Sequence, residues 1–302
     1  MERNLEKLSR SPLRSKTAGK KKRGAILFLA VGAILVLSIL AIGATSSVLA
    51  ELRLARFVTD SNLSFYPAFS VVQAMKTVFL NDTSPMNVTL YDLRSREMPF
   101  DDKTVYADFS DEESRINIDD VPKDVLTRLP GLEGQSALVD KIYAANILVK
   151  EEVLLIDGMT QDIYDQFKGL VTTFGGGVNI NTASREVFSI LGLDSNLISK
   201  IEDFRNGDDG EVGTDDDQYF SGTQEITALL EPYGLTSAQK AFLEILVSSN
   251  QLATTSDYID FDMVLRRTGT SEGDGSVAGK KLRSFNAVVN LTTGIIVSWY
   301  EE

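Results

Sequence analysis

The sequence predicts an α+β body on a single long N-terminal helix, with an all-α insertion between its strands. Three observations carry this. An uncharged run, Ala25 to Ala50, follows a cluster of basic residues. Segments of period two, the mark of half-buried strands, lie at 86–110 and again from 254 onward. Between them the apolar spacing becomes helical, and one pattern occurs twice. The 302 residues, 43% of them hydrophobic, suffice for a sizeable core.

Composition removes several function classes. The chain has no cysteine and no histidine. Disulfides, thiolate sites, histidine-based zinc sites, catalytic triads and the usual general base are therefore excluded. Only carboxylate or lysine chemistry is left, and the chain reads as non-enzymatic. The net charge is −13, but residues 1–24 carry nine Lys/Arg and two Glu, so everything after them holds −20. A body this acidic repels nucleic acid and anionic lipid and suits protein or cation partners.

The long helix comes first in the chain. As a helix, Ala25–Ala50 spans ~39 Å, enough to cross a ~30 Å hydrocarbon core. A signal-peptide core is only ~7–15 residues, so this run reads as a retained anchor, with its basic prefix on the cytoplasmic side. Ala30, Gly32, Ala33, Gly43 and Ala44 are small enough for close helix–helix approach. Leu52, Ala55 and Val58 keep the helical spacing, as do Val71, Val72, Met75, Val78 and Phe79. The expected helix runs to about Asn62, is kinked or interrupted by Pro67, and resumes to Leu80.

Strands are expected at "MNVTLYDL" (86–93) and "KTVYADFS" (103–110), with a turn at "PFDD". Next comes the repeat: "INIDDVPKDVLTRLPGLEGQSALVDKI" from Ile116 and "VNINTASREVFSILGLDSNLISKI" from Val178. Asn117, Ile118, Val125 and Leu129 match Asn179, Ile180, Val187 and Leu191 at an offset of 62. Each copy reads as an extended entry, an N-cap, a helix, a glycine turn and a second helix. Asp119 or Asp120 is the expected cap of the first copy, Thr182 or Ser184 of the second. The chain closes with strands in "TTSDYIDFDMVLRRTG", "KLRSFNAVVNL" and, past a Thr293-Gly294 turn, "IIVSWYEE".

One loop has the composition of a site. Asp208, Asp209, Glu211, Asp215, Asp216 and Asp217 crowd into ten positions among Gly207, Gly210 and Gly213. Such carboxylates are either solvated or share a hard cation such as Ca²⁺, which takes 6–8 oxygens. An EF-hand is excluded, because its obligatory glycine falls on Glu211.

Four features together carry a family resemblance. "KKKRG" before an apolar helix resembles a prepilin leader cut after glycine, which makes Gly24 the last leader residue and Ala25 the mature N-terminus. Leu29 stands where that family usually has glutamate. The stem "AELRLAR", the repeat "NINTASREVFSILGL" and the closing "IIVSWYEE" resemble the K-type minor pseudopilins of type II secretion systems, whose tip subunit lacks that glutamate. The resemblance implies a pilin-like fold, a long N-terminal transmembrane helix packed on an antiparallel sheet, with a large inserted helical domain. It divides the chain into a leader (1–24), a helix (25–80, membrane segment 25–50), first strands (81–111), the insert (112–250) and last strands (251–302). It implies a non-enzymatic tip subunit of the pseudopilus that initiates assembly and supports export across the outer membrane. The subunit would be anchored once in the bacterial inner membrane, with its body in the periplasm. Its implied partners are the prepilin peptidase, other minor pseudopilins, inner-membrane secretion components, and cargo or the outer-membrane pore. The family also binds calcium, which favours the cation over the solvated loop.

Two rival readings stand beside this one. A signal-anchored periplasmic adaptor would share the anchor but keep its leader. The repeats are also similar to helix-hairpin-helix modules, as in a DNA-uptake receptor, "LPGLEG" being close to their hairpin. Against DNA stand the acidic body, the lack of a basic cluster beside either hairpin, and "LGLDSN" in the second copy.

Overall fold

The computed structural model describes residues 18–80, 87–268, 279 and 281–301. The chain divides into an N-terminal unit, residues 1–63, and a body, residues 64–302. Residues 1–17 of the expected leader lie outside the described residues.

The first helix, α1 (Ala18–Leu80), is 63 residues long. The expected interruption at Pro67 does not occur: the helix continues through it. An interior proline costs about 3 kcal/mol through its missing N–H and its ring clash. Here Ala68, Val71, Val72, Met75 and Phe79, at helical spacing in the turns that follow it, are buried in the core of the body. At ~1.5–3 kcal/mol per large buried side chain this packing outweighs the proline.

That core lies against one face of a five-stranded antiparallel sheet ordered, by residue, 96–100, 103–111, 258–267, 281–290 and 295–301. β1 is Arg96–Phe100 and β2 is Lys103–Asp111. The strand expected at 86–93 is not one: in its described part, residues 90–93 form a turn. Asp92 accepts from the Thr89 hydroxyl (2.7 Å) and amide (3.0 Å), and Thr89 Oγ1 accepts from the Asp92 amide (3.3 Å). Such local bonds compete with a strand ladder.

The chain leaves the sheet after β2 and returns as β7 (Tyr258–Arg267), which starts four residues later than the expected Thr254. β8 (Lys281–Asn290) and β9 (Ile295–Glu301) complete the sheet. Trp299 of β9 packs on Phe65 and Phe69 of α1, at centroid distances of 5.1 and 6.4 Å.

The repeat is visible in the insertion. In the first copy, β3 (Ile116–Asn117) leads to α2 (Lys123–Leu126) and α3 (Ser136–Ala144). α4 (Gln161–Phe167) follows, and β4 (Val171–Thr172) pairs back in parallel on β3. In the second, β5 (Val178–Asn179) leads to α5 (Arg185–Leu191) and α6 (Ser195–Arg205). α7 (Ile226–Leu230) and α8 (Ser237–Ser248) follow, and β6 (Leu252–Ala253) pairs in parallel on β5. Phe167, Phe188 and Phe220 anchor a core separate from that of the sheet.

The matched asparagines do the same work in both copies. Asn117 Oδ1 accepts from the amide of Asp119 (3.0 Å), and Asn179 Oδ1 from that of Asn181 (3.1 Å). Each turns the chain out of its strand, an Asx turn.

Candidate functional site: anchor, junction and acidic loop

In the N-terminal unit, Ile26–Ala55 is long and apolar enough to cross a membrane, with mean hydropathy 2.9 and none of it buried. Hydroxyls in it turn back onto the helix: Ser38 donates to the Ile34 carbonyl, Thr45 to that of Ala41 and Ser46 to that of Gly43, each at 2.8 Å. That is what a helix without water around it requires. A Cβ at Gly32 or Gly43 would meet nothing within 4 Å, so packing inside the chain does not demand glycine there. Leu29 is exposed, and Gly24 and Ala25 fall inside α1.

In the body, the crossing from sheet to insertion is held by three consecutive buried carboxylates, Asp111, Glu112 and Glu113. Asp111 accepts four hydrogen bonds, about the full capacity of a carboxylate. Its donors are the Glu113 amide (2.8 Å), Ser256 Oγ (2.6 Å), Asn179 Nδ2 (2.8 Å) and Thr182 Oγ1 (2.5 Å). Glu112 takes Arg115 (2.5 Å) and Thr172 Oγ1 (2.6 Å). Glu113 accepts from the amides of Gly176 (3.0 Å) and Asp257.

Burial pushes the Asp111 and Glu113 carboxyls above their usual range, and the hydrogen bonds only partly offset it. Gly175 is needed beside them: its φ is +70°, and a Cβ would collide with Glu113. The knot thus ties β2, both repeat copies and the return to β7 at one point. Sequence reasoning did not find it, since an acidic run at a strand end ordinarily reads as solvated.

The knot also corrects the capping expectations. Ser184 caps α5, accepting from the Val187 amide (3.3 Å), while Thr182 is spent on Asp111. In the first copy neither Asp119 nor Asp120 caps α2, whose N-cap is Pro122. Asp119 instead accepts from the amide of Ile147 (3.2 Å). Asn181 binds across the fold, donating to the carbonyls of Phe220 and Thr254 and accepting the Phe220 amide (2.8 Å). "NINTAS" is therefore a structural motif.

Both hairpins carry their own anion. In the first, Glu133 accepts the Gly131 amide (2.8 Å). In the second, Asp194 caps α6 through the amides of Asn196 (3.0 Å) and Leu197 (2.9 Å). The Leu197 amide is the main reason why its carboxyl lies below the usual range.

The acidic loop folds around its own backbone. Asp216 Oδ2 accepts from the amides of Asp208 (2.8 Å) and Asp209 (3.1 Å), and Asp217 from that of Gly213 (2.8 Å). Asp209 accepts the Glu211 amide (2.7 Å). Asp209, Asp216 and Asp217 also approach one hydroxyl, Thr214 Oγ1, at 3.4, 2.7 and 3.4 Å. Asp215 and Glu211 are exposed. The donors are all hard oxygens, but among the described residues no three acidic groups are gathered so as to hold an ion.

No family model and no curated protein matches the sequence. Among solved structures, the chain is similar to one in the crystal structure of the GspK-GspI-GspJ complex from the type 2 secretion system of enterotoxigenic Escherichia coli. The TM-score is 0.55 at 12% identity, over 81% of this chain and 99% of that one. The likeness is one of fold, and with the antiparallel sheet packed on α1 it shows the expected α+β pilin-like architecture.

Proposed function

We propose that the chain is a K-type minor pseudopilin: a non-enzymatic, membrane-anchored subunit at the tip of a type II secretion pseudopilus, with its body in the periplasm. The observation that carries this is the fold likeness over 99% of a chain from the GspK-GspI-GspJ complex of a type 2 secretion system. The membrane-length helix and the large insertion between β2 and β7 support it. Its partners are two other minor pseudopilins, packed along α1 through Gly32, Gly43 and the neighbouring alanines. Leu29 fits the tip, since a subunit with none above it has no terminal amine to neutralise, and an unpaired charge in the bilayer is costly. Secretion-system membrane components, cargo and the outer-membrane pore are its further contacts.

The test is co-purification of tagged chain with the I- and J-type pseudopilins of the same secretion system. One copy of each per complex is expected, with loss of both on Gly32→Leu/Gly43→Leu. A chain that purifies alone from membranes containing both overturns the reading.

The DNA-uptake alternative is disfavoured by Glu133 and Asp194, which occupy hairpin amides that a phosphate would need. For the acidic loop we propose Ca²⁺, held by members of Asp208, Asp209, Glu211, Asp215, Asp216 and Asp217. The reading rests on the oxygen donors and on the glycines between them.

A further inference from the structure

The face of the sheet opposite α1 borders a cavity of about 810 Å³ where the insertion overhangs it. Glu112 and Asp260 lie in its lining, with Asn286 donating to Asp260 at 2.6 Å. Arg115 sits behind them, 2.5 Å from Glu112 and 3.9 Å from Asp260. Glu151 and Lys150 complete the charged lining. Three carboxylates thus face two cations, in a body that is itself strongly acidic. Asp260 reports the imbalance: burial and then the Glu112 charge hold its carboxyl above the usual range, despite Arg115, Asn286 and Lys150.

The rims have the opposite character. Leu148 (71% exposed) and Val149 (53%) line the cavity from the insertion, and Val297 (44%) and Tyr300 (59%) from β9. Large exposed apolar side chains flanking a polar recess mark a protein contact. The strand beside the recess is also open. Among the described residues β9 pairs with β8 alone, and it carries no proline, whereas the opposite edge strand β1 is blunted by Pro99, Arg96 and Glu97.

We infer that this recess is a docking pocket for a basic side chain, presented by an extended apolar stretch of a partner polypeptide. The lysine or arginine enters between Glu112, Glu151 and Asp260. Its apolar neighbours cover Leu148, Val149, Val297 and Tyr300 and run beside β9. Charge complementarity selects the occupant: an acidic segment would meet three carboxylates, and a neutral one would leave their field uncompensated.

The experiment uses the full chain in zwitterionic micelles and a fluorescent peptide, Thr-Leu-Val-Arg-Val-Leu-Thr, with empty micelles as the blank. The controls carry citrulline or glutamate in place of arginine. The arginine peptide should bind at least about ten-fold more tightly than either control, about 1.4 kcal/mol. Asp260→Asn should erase most of that preference, and Leu148→Ser should weaken the arginine peptide several-fold. Leu148 is exposed, so its variant keeps the question answerable if Asp260→Asn lowers stability. Equal binding of the three peptides overturns the proposal, and so does an arginine preference that survives both substitutions. Self-association of the chain that Leu148→Ser abolishes, with no peptide binding to the wild type, would assign the face to a second copy and also overturn it. No other pseudopilin enters the measurement, so its outcome is independent of the assembly reading.

Discussion

At the scale of single residues, the junction is where most polar chemistry is concentrated. Taking a carboxylate out of water costs several kcal/mol unless donors replace the lost solvent, and Asp111 has four. Thr182→Val removes one donor while keeping the shape. It should lower stability by about 1.5–3 kcal/mol, the range for hydrogen bonds to charged groups, as read from denaturant unfolding. A loss no larger than that of a surface substitution would contradict the geometry. The carboxyls also predict a pH dependence. Asp111, Glu113 and Asp260 all lie above their usual values, so the folded state holds their protons more tightly than the unfolded state. The stability linked to them is full below the unfolded values and is lost as pH rises through the folded ones. Melting temperature should therefore fall as pH rises above the ordinary carboxyl range, and Glu113→Gln should flatten that slope even while lowering stability overall. The matched asparagines Asn117 and Asn179 were legible as a repeated motif, and Thr182 as a candidate cap. Their partners were not, because Asn179 and Asp111 are 68 positions apart and the acidic run itself carries no mark of burial.

At the scale of elements, the periodic segments could be read and the competing local bonds could not. β2, β7, β8 and β9 lie where alternation placed them, within a few residues. The segment 86–93 alternates as well, yet Thr89 and Asp92 hold residues 90–93 in a turn. Pro67 is a breaker by local rules, and its helix survives because the side chains around it are committed to the core. The acidic loop is the element whose chemistry most needs a test. An ion that binds only the folded form adds RT ln(1 + [L]/Kd), about 1.4 kcal/mol at millimolar calcium for Kd near ~10⁻⁴ M. The full chain should melt a few degrees higher in calcium than in EDTA, and magnesium should do less. An equal calcium shift in Asp215→Ala/Asp217→Ala would show that the loop does not hold the ion.

At the scale of the whole molecule, the chain joins a membrane-length helix to a pilin-like sheet, and a duplicated helical insertion to that sheet through one buried knot. The fold class, the insertion and its internal repeat were all legible, because each rests on a period sustained over many residues. The recess lined by Glu112, Asp260 and Tyr300 was not, since it assembles residues from the insertion and three strands. The central claim is that this is a pseudopilin, and its most direct test is the mass of the protein extracted from membranes of cells with an active prepilin peptidase. The account predicts a chain shortened by residues 1–24 and beginning at Ala25, and Gly24→Val should block the cleavage. An intact Met1 terminus, in cells that process another substrate of the same peptidase, would contradict it.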